Sequence, residues 1–222
     1  MSTFFTPDFL NFFIELAPNN HKDWFDINRD RYKKSVKEPF ENFVEKLIIE
    51  LRKTEDLPQD LKASDCIFRI NKDIRFSKDK SPYKLQATAS ISKGGKKDFV
   101  NPGLYVELGP EHLGIYTGVY MSDKDIIAKI RHHIASNLAQ FESIINNKKL
   151  KAIYGEVKGE KAKLLPPELK SLAISQPLIL NKQFYLVHNA EPDIIIEKDV
   201  LKYIVETYKV AKSFNQFIYQ VI

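Results

Sequence analysis

The hydrophobic period of this chain changes twice along its length, and that change limits its fold more than any other feature of the sequence. Up to residue 51, apolar residues recur every three or four positions, which is typical of amphipathic helices. Between residues 67 and 121, apolar and polar residues alternate, which is typical of strands. A helical period returns from Ile126 onward. Strands grouped between two sets of helices indicate an α+β fold rather than alternating βαβ units.

The predicted strands follow one another at short range. They cover residues 67–76, 83–91, 104–108 and 113–121, with a further strand at 183–188. Short connections favour antiparallel neighbours, because a parallel pair needs a crossover of about a dozen residues or more. We therefore predict a mainly antiparallel sheet, a meander of four or more strands, packed by N-terminal, central and C-terminal helices. No linker or repeat is evident, so a single α+β domain over residues 1–222 is expected, although the pattern of residues 147–181 predicts no particular element.

Helix starts are predicted from residues that bond the free backbone N–H groups of a first helical turn. Asn20, with Asp23 three residues later, is predicted to cap a helix that begins in NNHKDW. Ser122 and Asp125 are predicted to cap a long central helix whose apolar stripe ends at Ile145. These polar side chains are therefore expected to serve their own helices.

Positive charge is concentrated in two segments of the chain. Residues 68–84, FRINKDIRFSKDKSPYK, carry six Lys or Arg and two Asp, and residues 148–163 carry six Lys and two Glu. The whole chain has a net charge of +5, so the remaining residues are slightly acidic. Clustered like charge is unfavourable unless an anion binds there or nearby acids neutralise it. The first segment also reads as a β-hairpin, which makes it the first place to look for a site.

The alternation predicts that polar residues of this hairpin share one sheet face. That face would carry Arg69, Asn71, Asp73, Arg75, Lys84, Gln86 and Thr88. Arginine binds phosphate or carboxylate through two parallel hydrogen bonds, so the face suits an anionic ligand. Arg69 and Arg75 lie about 20 Å apart along an extended strand, so they can share one small anion only across a bulge. We expect that bulge at Lys72–Asp73.

The hairpin and its neighbours supply the candidate site residues. For ligand binding these are Arg69, Asp73, Arg75, Lys78, Lys80, Lys84, Tyr105 and Tyr116, with Asn28 and Arg31 as candidate rim residues. Asp73 is also the one candidate for a catalytic base, but no partner residue is evident, so no reaction is assigned. The expected ligand is a small metabolite that bears a phosphate or a carboxylate.

Other interpretations of the basic hairpin stay open, and in one of them its charged residues form a face that is exposed to water and binds no ligand. Both basic segments together could bind nucleic acid or an acidic protein, although the second segment contains only one aromatic residue, Tyr154. Alternatively, the hairpin could be an internal ion-pair network that fixes the register of the sheet and binds nothing. In the turn itself, Ser77 and Asp79 could organise the backbone while the lysines extend into solvent.

Several classes of protein are disfavoured by what the chain lacks. Cys66 is the only cysteine, so neither an intrachain disulfide nor a cysteine-based metal cluster can form. The five histidines form no H-x-x-x-H pair, and no nucleophile-elbow, phosphate-loop or dinucleotide motif occurs, so no metal is predicted and the sequence identifies no particular cofactor. The N-terminal residues have neither a basic leader nor a long apolar run, so a cytoplasmic protein without a membrane segment is expected.

Two blocks of the sequence resemble a known family. WFDINRDRYKKSVKEPF, at 24–40, and the basic hairpin block at 68–84 are similar to domain of unknown function 2461, a set of uncharacterised bacterial and fungal proteins. YVELGPEHLGIYTGVY, at 105–120, is similar as well, so the resemblance covers most of the chain. The family usually has Arg where this chain has Lys72, so the resemblance implies no two-bond anion contact there. It implies a compact cytoplasmic α+β domain and no established activity.

Overall fold

The computed structural model describes residues 3–98, 100–121 and 123–222 of the chain. The helices are α1 Pro7–Leu16, α2 Lys22–Ile27, α3 Arg29–Tyr32, α4 Glu38–Leu51, α5 Ala63–Cys66, α6 Lys124–Ser136, α7 Leu138–Ile145, α8 Lys148–Tyr154, α9 Leu172–Ser175, α10 Val200–Val210 and α11 Lys212–Tyr219. The strands are β1 Ala87–Ile91, β2 Gly103–Leu108, β3 Leu113–Val119 and β4 Phe184–Ala190. A π-helical turn, Lys33–Lys37, joins α3 to α4.

The predicted fold class is confirmed. The four strands form one antiparallel sheet in the order β1-β2-β3-β4, so each strand pairs with the next one along the chain. Helices precede, interrupt and follow the sheet, as the returning helical period indicates. No helix in the described ranges has both the length and the hydropathy that crossing a bilayer requires.

The strand predicted at 67–76 is not a regular strand. This segment makes two isolated antiparallel bridges, one from Ile67 to Ala89 of β1 and one from Asn71 to Tyr83, which precedes β1. The four residue steps from Ile67 to Asn71 are therefore matched by six steps from Tyr83 to Ala89, so the segment that leads into β1 holds two extra residues. Backbone bonds from Lys84 to Ile70 (2.8 Å) and from Phe68 to Thr88 (3.0 Å) restrict the bulge to 85–87. The bulge predicted at Lys72–Asp73 is thus misplaced.

The regular ladder fails beyond Lys72 because side chains bond the backbone there. Asp73 Oδ1 accepts from the backbone N–H of Arg75 (3.3 Å), and Asp79 Oδ1 accepts from that of Ser81 (2.9 Å). Such local bonds compete with pairing between strands. Asp79 organises the turn as the sequence indicates, and residues 73–81 form a loop rather than the end of a hairpin.

The predicted common polar face is wrong. Opposed residues of an antiparallel pair project to the same side of a sheet, so Asn71 shares a side with Tyr83 and not with Lys84. Lys84 lies opposite Ile70, and its ammonium lies 5.1 Å from the ring centroid of Phe68. Thr88 is buried. Alternation also fails within the segments, because Phe76 is exposed and the neighbours Thr88 and Ala89 are both buried, so the two polar sets do not meet on one face.

The described residues divide into two compact units. The first comprises the chain up to Lys96 together with Tyr105–Ile115 and Asn189–Val205. Its N-terminal part has an aromatic core, in which the rings of Phe9 and Phe13 lie 5.6 Å apart and those of Phe5 and Phe43 lie 5.1 Å apart. Pro7 at the first position of α1 favours this helix, because its missing N–H would have no helical partner anyway.

The predicted role of Asn20 is wrong. His21 is the N-cap of α2, and its side chain accepts from the backbone of Trp24 at 3.4 Å. The amide of Asn20 instead pairs with the backbone of Tyr83: Nδ2 donates to the carbonyl at 2.9 Å, and Oδ1 accepts from the N–H at 3.0 Å. The ring of Tyr83 stacks on Phe25 with centroids 4.1 Å apart. Asn20 thus attaches the basic hairpin to the helical layer of the first unit.

The second unit comprises Lys97–Leu104, Tyr116–His188 and Glu206–Ile222. Its apolar core includes Ile130, Phe141, Phe184, Phe214 and Phe217, which are buried. The central helix predicted as continuous ends at Ser136, because Asn137 leaves helical geometry (φ −130°, ψ 40°) while its amide bonds the carbonyl of His133. The prediction of one domain over 1–222 is not tested by this grouping and stays a prediction.

The start of the central helix also differs from the prediction. Asp123 is its N-cap, and Oδ1 accepts from the backbone N–H of Ile126 at 2.9 Å. Asp125 lies within the first turn of α6, where its negative charge interacts favourably with the positive end of the helix dipole. Ser122, the other predicted cap, lies outside the described residues. An acidic cap at the start of this helix is therefore present, but at a different residue.

Candidate functional site

A cleft of about 260 Å³ lies within the first unit, between the helical layer and the basic hairpin. We call it the Arg69 cleft. Half of its fourteen lining residues are apolar, among them Phe13, Val36, Phe40, Ile67, Phe68 and Ile70. The polar lining residues are Tyr32, Lys37, Glu41, Ser64, Arg69, Gln86 and Lys96. The volume is slightly below the roughly 300–1,000 Å³ usual for ligand pockets, so the cleft suits a small molecule.

The local structure of two segments shapes this cleft. Two pairs of lining residues, Val36 with Phe40 and Lys37 with Glu41, are each separated by one helical turn. All four therefore share one helix face. Val36 and Lys37 belong to the π-helical turn, a rare geometry that is frequent at functional sites. On the other wall, the bulge at 85–87 lies opposite Arg69, and Gln86 of this bulge lines the cleft with Arg69.

The charge of the cleft walls is not balanced by the residues that form them. Lys37, Arg69 and Lys96 face a single acid, Glu41, which lies 3.8 Å from the ammonium of Lys37. Lys96 donates to the backbone carbonyls of Ser64 (2.6 Å) and Ile67 (2.9 Å), which hold it without neutralising it. Among the described residues, none forms a hydrogen bond or ion pair with the guanidinium of Arg69. The walls thus have a net charge of +2.

Tyr32 gives the cleft a hydroxyl that stays protonated. Burial raises the pKa of its phenol to about 12, and the nearby carboxylate of Glu41 adds to the shift. The ring is fixed by Phe12 and Phe25, whose centroids lie 5.5 and 5.1 Å from its own. At neutral pH this phenol can donate a hydrogen bond to an acceptor in the cleft.

The cations of the loop 72–81 are engaged within the loop. Arg75 donates to Asp73 through Nε (2.9 Å) and Nη2 (2.6 Å), and Lys72 donates to Asp79 (2.9 Å) and Ser81 (2.8 Å). Lys80 donates to the carbonyl of Ile74, and Lys78 is exposed. None of these residues lines the Arg69 cleft. The nucleic-acid interpretation, which needs both basic segments, stays a prediction.

The electrostatics of Asp73 do not suit a catalytic base. Its hydrogen bonds from Arg75 lower the pKa of the carboxyl to about 2, and Arg69 contributes a smaller effect of the same sign. General-base catalysis is most efficient when the pKa of the base lies near the working pH. Asp73 is ionised at neutral pH but binds a proton only weakly, so its geometry is that of an ion-paired turn residue.

Lys84 and Tyr105 come together in a second polar cluster of the first unit. The phenol of Tyr105 donates to Glu107 Oε1 at 2.9 Å, and His112 Nε2 lies 3.5 Å from Glu107 Oε2. The rings of Tyr105 and Phe68 are in edge-to-face contact, and the ammonium of Lys84 lies over the ring of Phe68. Burial lowers the pKa of Lys84, although the charge of Glu107 opposes this effect. Glu107 and His112 are absent from the sequence-based candidates.

The other candidates are not among the residues that line the Arg69 cleft. Tyr116 belongs to the second unit and is half-buried there. Asn28 donates to the carbonyl of Trp24 at 3.0 Å, within its own helical segment. The guanidinium of Arg31 bonds both oxygens of Asp8 (Nε, 3.1 and 3.2 Å) and of Glu15 (2.6 and 2.9 Å). Arg31 thus clamps α1 to α3, and its donors are already used.

The Arg31 clamp predicts a pH-dependent loss of stability. Arg31 lowers the pKa of both Asp8 and Glu15 below their ordinary values of 3.8 and 4.5, so their contribution is complete above about pH 4.5 and is lost as the pH falls. Arg31→Met is expected to lower the melting temperature by roughly 2–4 °C at pH 7. At pH 3, below both ordinary pKa values, the difference between wild type and variant should be smaller than at pH 7; an equal difference at both pH values would contradict the clamp. Thermal unfolding followed by circular dichroism measures it.

Metal and thiol chemistry find no support in the described residues. In these ranges, no group of three or more His, Cys, Asp or Glu side chains is arranged to hold a metal ion. Cys66 is buried, and burial raises the pKa of its thiol to about 12, which makes it a poor nucleophile. Titratable groups line the Arg69 cleft, and Lys129, His132 and His133 line a second, more open cavity of the second unit.

Comparison with known proteins identifies a family but no function. A family model described as a conserved hypothetical protein, DUF2461, matches residues 8–217. No curated protein and no solved structure matches the chain. The resemblance seen in the sequence blocks is thus confirmed over nearly the whole length. The description of the family names neither a ligand nor a reaction.

Proposed function

Because the chain belongs to the DUF2461 family, whose description assigns no activity, we propose its function from the geometry of its first unit: the Arg69 cleft binds a small anionic metabolite that bears a carboxylate or a phosphate. Arg69 is the principal contact, with Lys96 and Lys37 as further positive charge. A cytoplasmic location is part of this proposal; the single buried cysteine agrees with it.

The observation that carries the proposal is the guanidinium of Arg69, an exposed side chain that lines a partly open cleft. Elsewhere in the basic segment, Lys72 and Arg75 each have a carboxylate within 2.9 Å, Lys80 bonds a backbone carbonyl and Lys78 is exposed, and none of these cations lines the cleft. At Arg69 the described residues supply no such partner, and the walls keep a net charge of +2. An anion in the cleft would supply the missing partner through charge-assisted hydrogen bonds.

Substitution of Arg69 tests the proposal directly. Wild-type protein is expected to gain thermal stability with one or more members of a panel of phosphorylated and carboxylated metabolites. Arg69→Met should weaken the affinity of that ligand by roughly tenfold to a hundredfold, because charge-assisted hydrogen bonds are lost while the length of the side chain is kept. Isothermal titration calorimetry gives the affinities.

Arg75→Met is the matched control for this test. Arg75 is a neighbouring arginine in the same basic segment and is exposed as Arg69 is, but it is paired with Asp73 and does not line the cleft. Its substitution should leave the affinity within a factor of about two. If no anion stabilises the wild-type protein, or if both variants bind as wild type does, the proposed function is wrong.

A further inference from the structure

Three positively charged side chains line the Arg69 cleft, and they come from three separate segments of the first unit. Lys37 belongs to the π-helical turn, Arg69 to the basic hairpin and Lys96 to a short turn after β1. Together with the carboxylate of Glu41, they give the walls a net charge of +2. A ligand with one negative charge would leave half of this excess in place, whereas a dianion balances it.

Each of these cations keeps hydrogen-bond donors that no described residue uses. The guanidinium of Arg69 has no bonded partner among the described residues. The ammonium of Lys37 lies 3.8 Å from Glu41, which is beyond hydrogen-bond distance, so all of its N–H groups remain for a ligand. Lys96 bonds two backbone carbonyls and keeps its third N–H group. The hydroxyl of Tyr32 is a further donor in the same cleft.

These donors match a phosphate monoester better than a carboxylate. At neutral pH a phosphate monoester carries about −1.5 to −2 charges and has three strong acceptor oxygens. A carboxylate carries one charge and has two oxygens, which one guanidinium already satisfies through two parallel bonds. The ammonium groups of Lys37 and Lys96 would then have no anionic partner in the ligand. A dianion uses all three cations of the cleft.

The apolar half of the lining indicates the rest of the ligand. The rings of Phe40 and Phe68 come from the helical layer and from the hairpin, and covering them removes apolar surface from water, which is favourable. The cleft volume of about 260 Å³ equals roughly nine water molecules of liquid, so the body of the ligand is small. Building on the proposed function, we infer that the Arg69 cleft binds phosphate monoesters with a small apolar body in preference to carboxylates with the same body.

Matched ligands test this preference for two negative charges. Phenyl phosphate is the dianion, phenylacetate has the same ring with a carboxylate, and methyl phenyl phosphate keeps the ring and the phosphate but carries one charge. By isothermal titration calorimetry, phenyl phosphate is expected to bind wild-type protein roughly tenfold or more tightly than either monoanion. Inorganic phosphate should also bind more weakly than phenyl phosphate, because it leaves the apolar walls in contact with water.

Lys37→Met tests the contribution of a second cation. The side chain of Lys37 is more than half exposed, and its ammonium makes no hydrogen bond with the described residues, so this variant should fold. Its affinity for phenyl phosphate is expected to fall by roughly fivefold to tenfold, while its affinity for phenylacetate changes by less than about threefold. Lys34→Met is the matched control, because Lys34 belongs to the same π-helical turn but does not line the cleft. It should bind both ligands as the wild type does.

The outcomes separate this inference from the proposed function. If either monoanion binds as tightly as phenyl phosphate and Arg69→Met weakens both, the preference for a dianion is wrong and the proposed function stands. The same conclusion follows if Lys37→Met weakens phenyl phosphate and phenylacetate equally, or if only other anions bind through Arg69. If phenyl phosphate binds equally well to wild type and to Arg69→Met, both the inference and the proposed function are wrong.

Discussion

Gly118→Ala is expected to lower the free energy of unfolding by about 3 kcal/mol. Gly118 lies in β3 with φ +109°, a backbone conformation that residues with a side chain rarely adopt. An added Cβ would overlap the carbonyl oxygen of Phe184 and lie 2.8 Å from Cα of Tyr185, both in the backbone of β4. Backbone atoms within a sheet cannot move aside as a flexible side chain does, so the two strands would have to separate.

Gly155→Ala separates the two causes of this effect. Gly155 follows α8 with φ +69°, but an added Cβ would meet no atom within 4 Å. Only the cost of the backbone conformation remains there, about 1 kcal/mol. In a chain of this length, the melting temperature should fall by roughly 6–12 °C for Gly118→Ala and 2–4 °C for Gly155→Ala. If urea titrations show equal losses of unfolding free energy for the two variants, the close contact between Gly118 and the backbone of β4 is wrong.

The hydrophobic period was sufficient to predict the fold class but not the pairing of the basic hairpin. A period of two tells which residues of one strand share a side, and this held for β2, where Leu104, Val106 and Leu108 are buried and the residues between them are less so. It does not tell which residues oppose one another across two strands. That register depends on the bulge at 85–87 and on the bonds that Asp73 and Asp79 make in the loop, and neither produces a periodic signal.

The candidate site was predictable only in part for a related reason. The concentration of charge in 68–84 led to the segment that contains Arg69, but it could not separate Arg69 from Arg75. That distinction depends on whether a carboxylate lies nearby in space. The other walls of the cleft come from positions as far apart in sequence as Phe13 and Lys96, and only the folded chain brings them together. The helix spacing of Lys37 and Glu41 indicates a shared face, but not what that face covers.

Asn20 offers the clearest experimental choice between a local and a long-range role, and Asn20→Ala is expected to cost about 2 kcal/mol. The substitution removes two hydrogen bonds and leaves the N–H and the carbonyl of Tyr83 without partners in a partly buried position. In urea or thermal unfolding, the melting temperature should fall by roughly 4–8 °C. Asn19→Ala is the matched control, because Asn19 makes one exposed bond to the carbonyl of Glu15 and should have little effect.

Asn20→Asp decides between the two roles. Aspartate caps helices about as well as asparagine, so a residue that merely capped α2 would tolerate the change. The bridge to Tyr83 would not, because a carboxylate has no N–H to donate and would place a second oxygen against the carbonyl of Tyr83. Asn20→Asp is therefore expected to lose about as much stability as Asn20→Ala. If Asn20→Asp is instead as stable as the wild type, Asn20 acts as a helix cap and the bridge to Tyr83 is not needed. Since Tyr83 precedes the bulge that lies opposite Arg69, a loosened bridge should also weaken anion binding at the cleft.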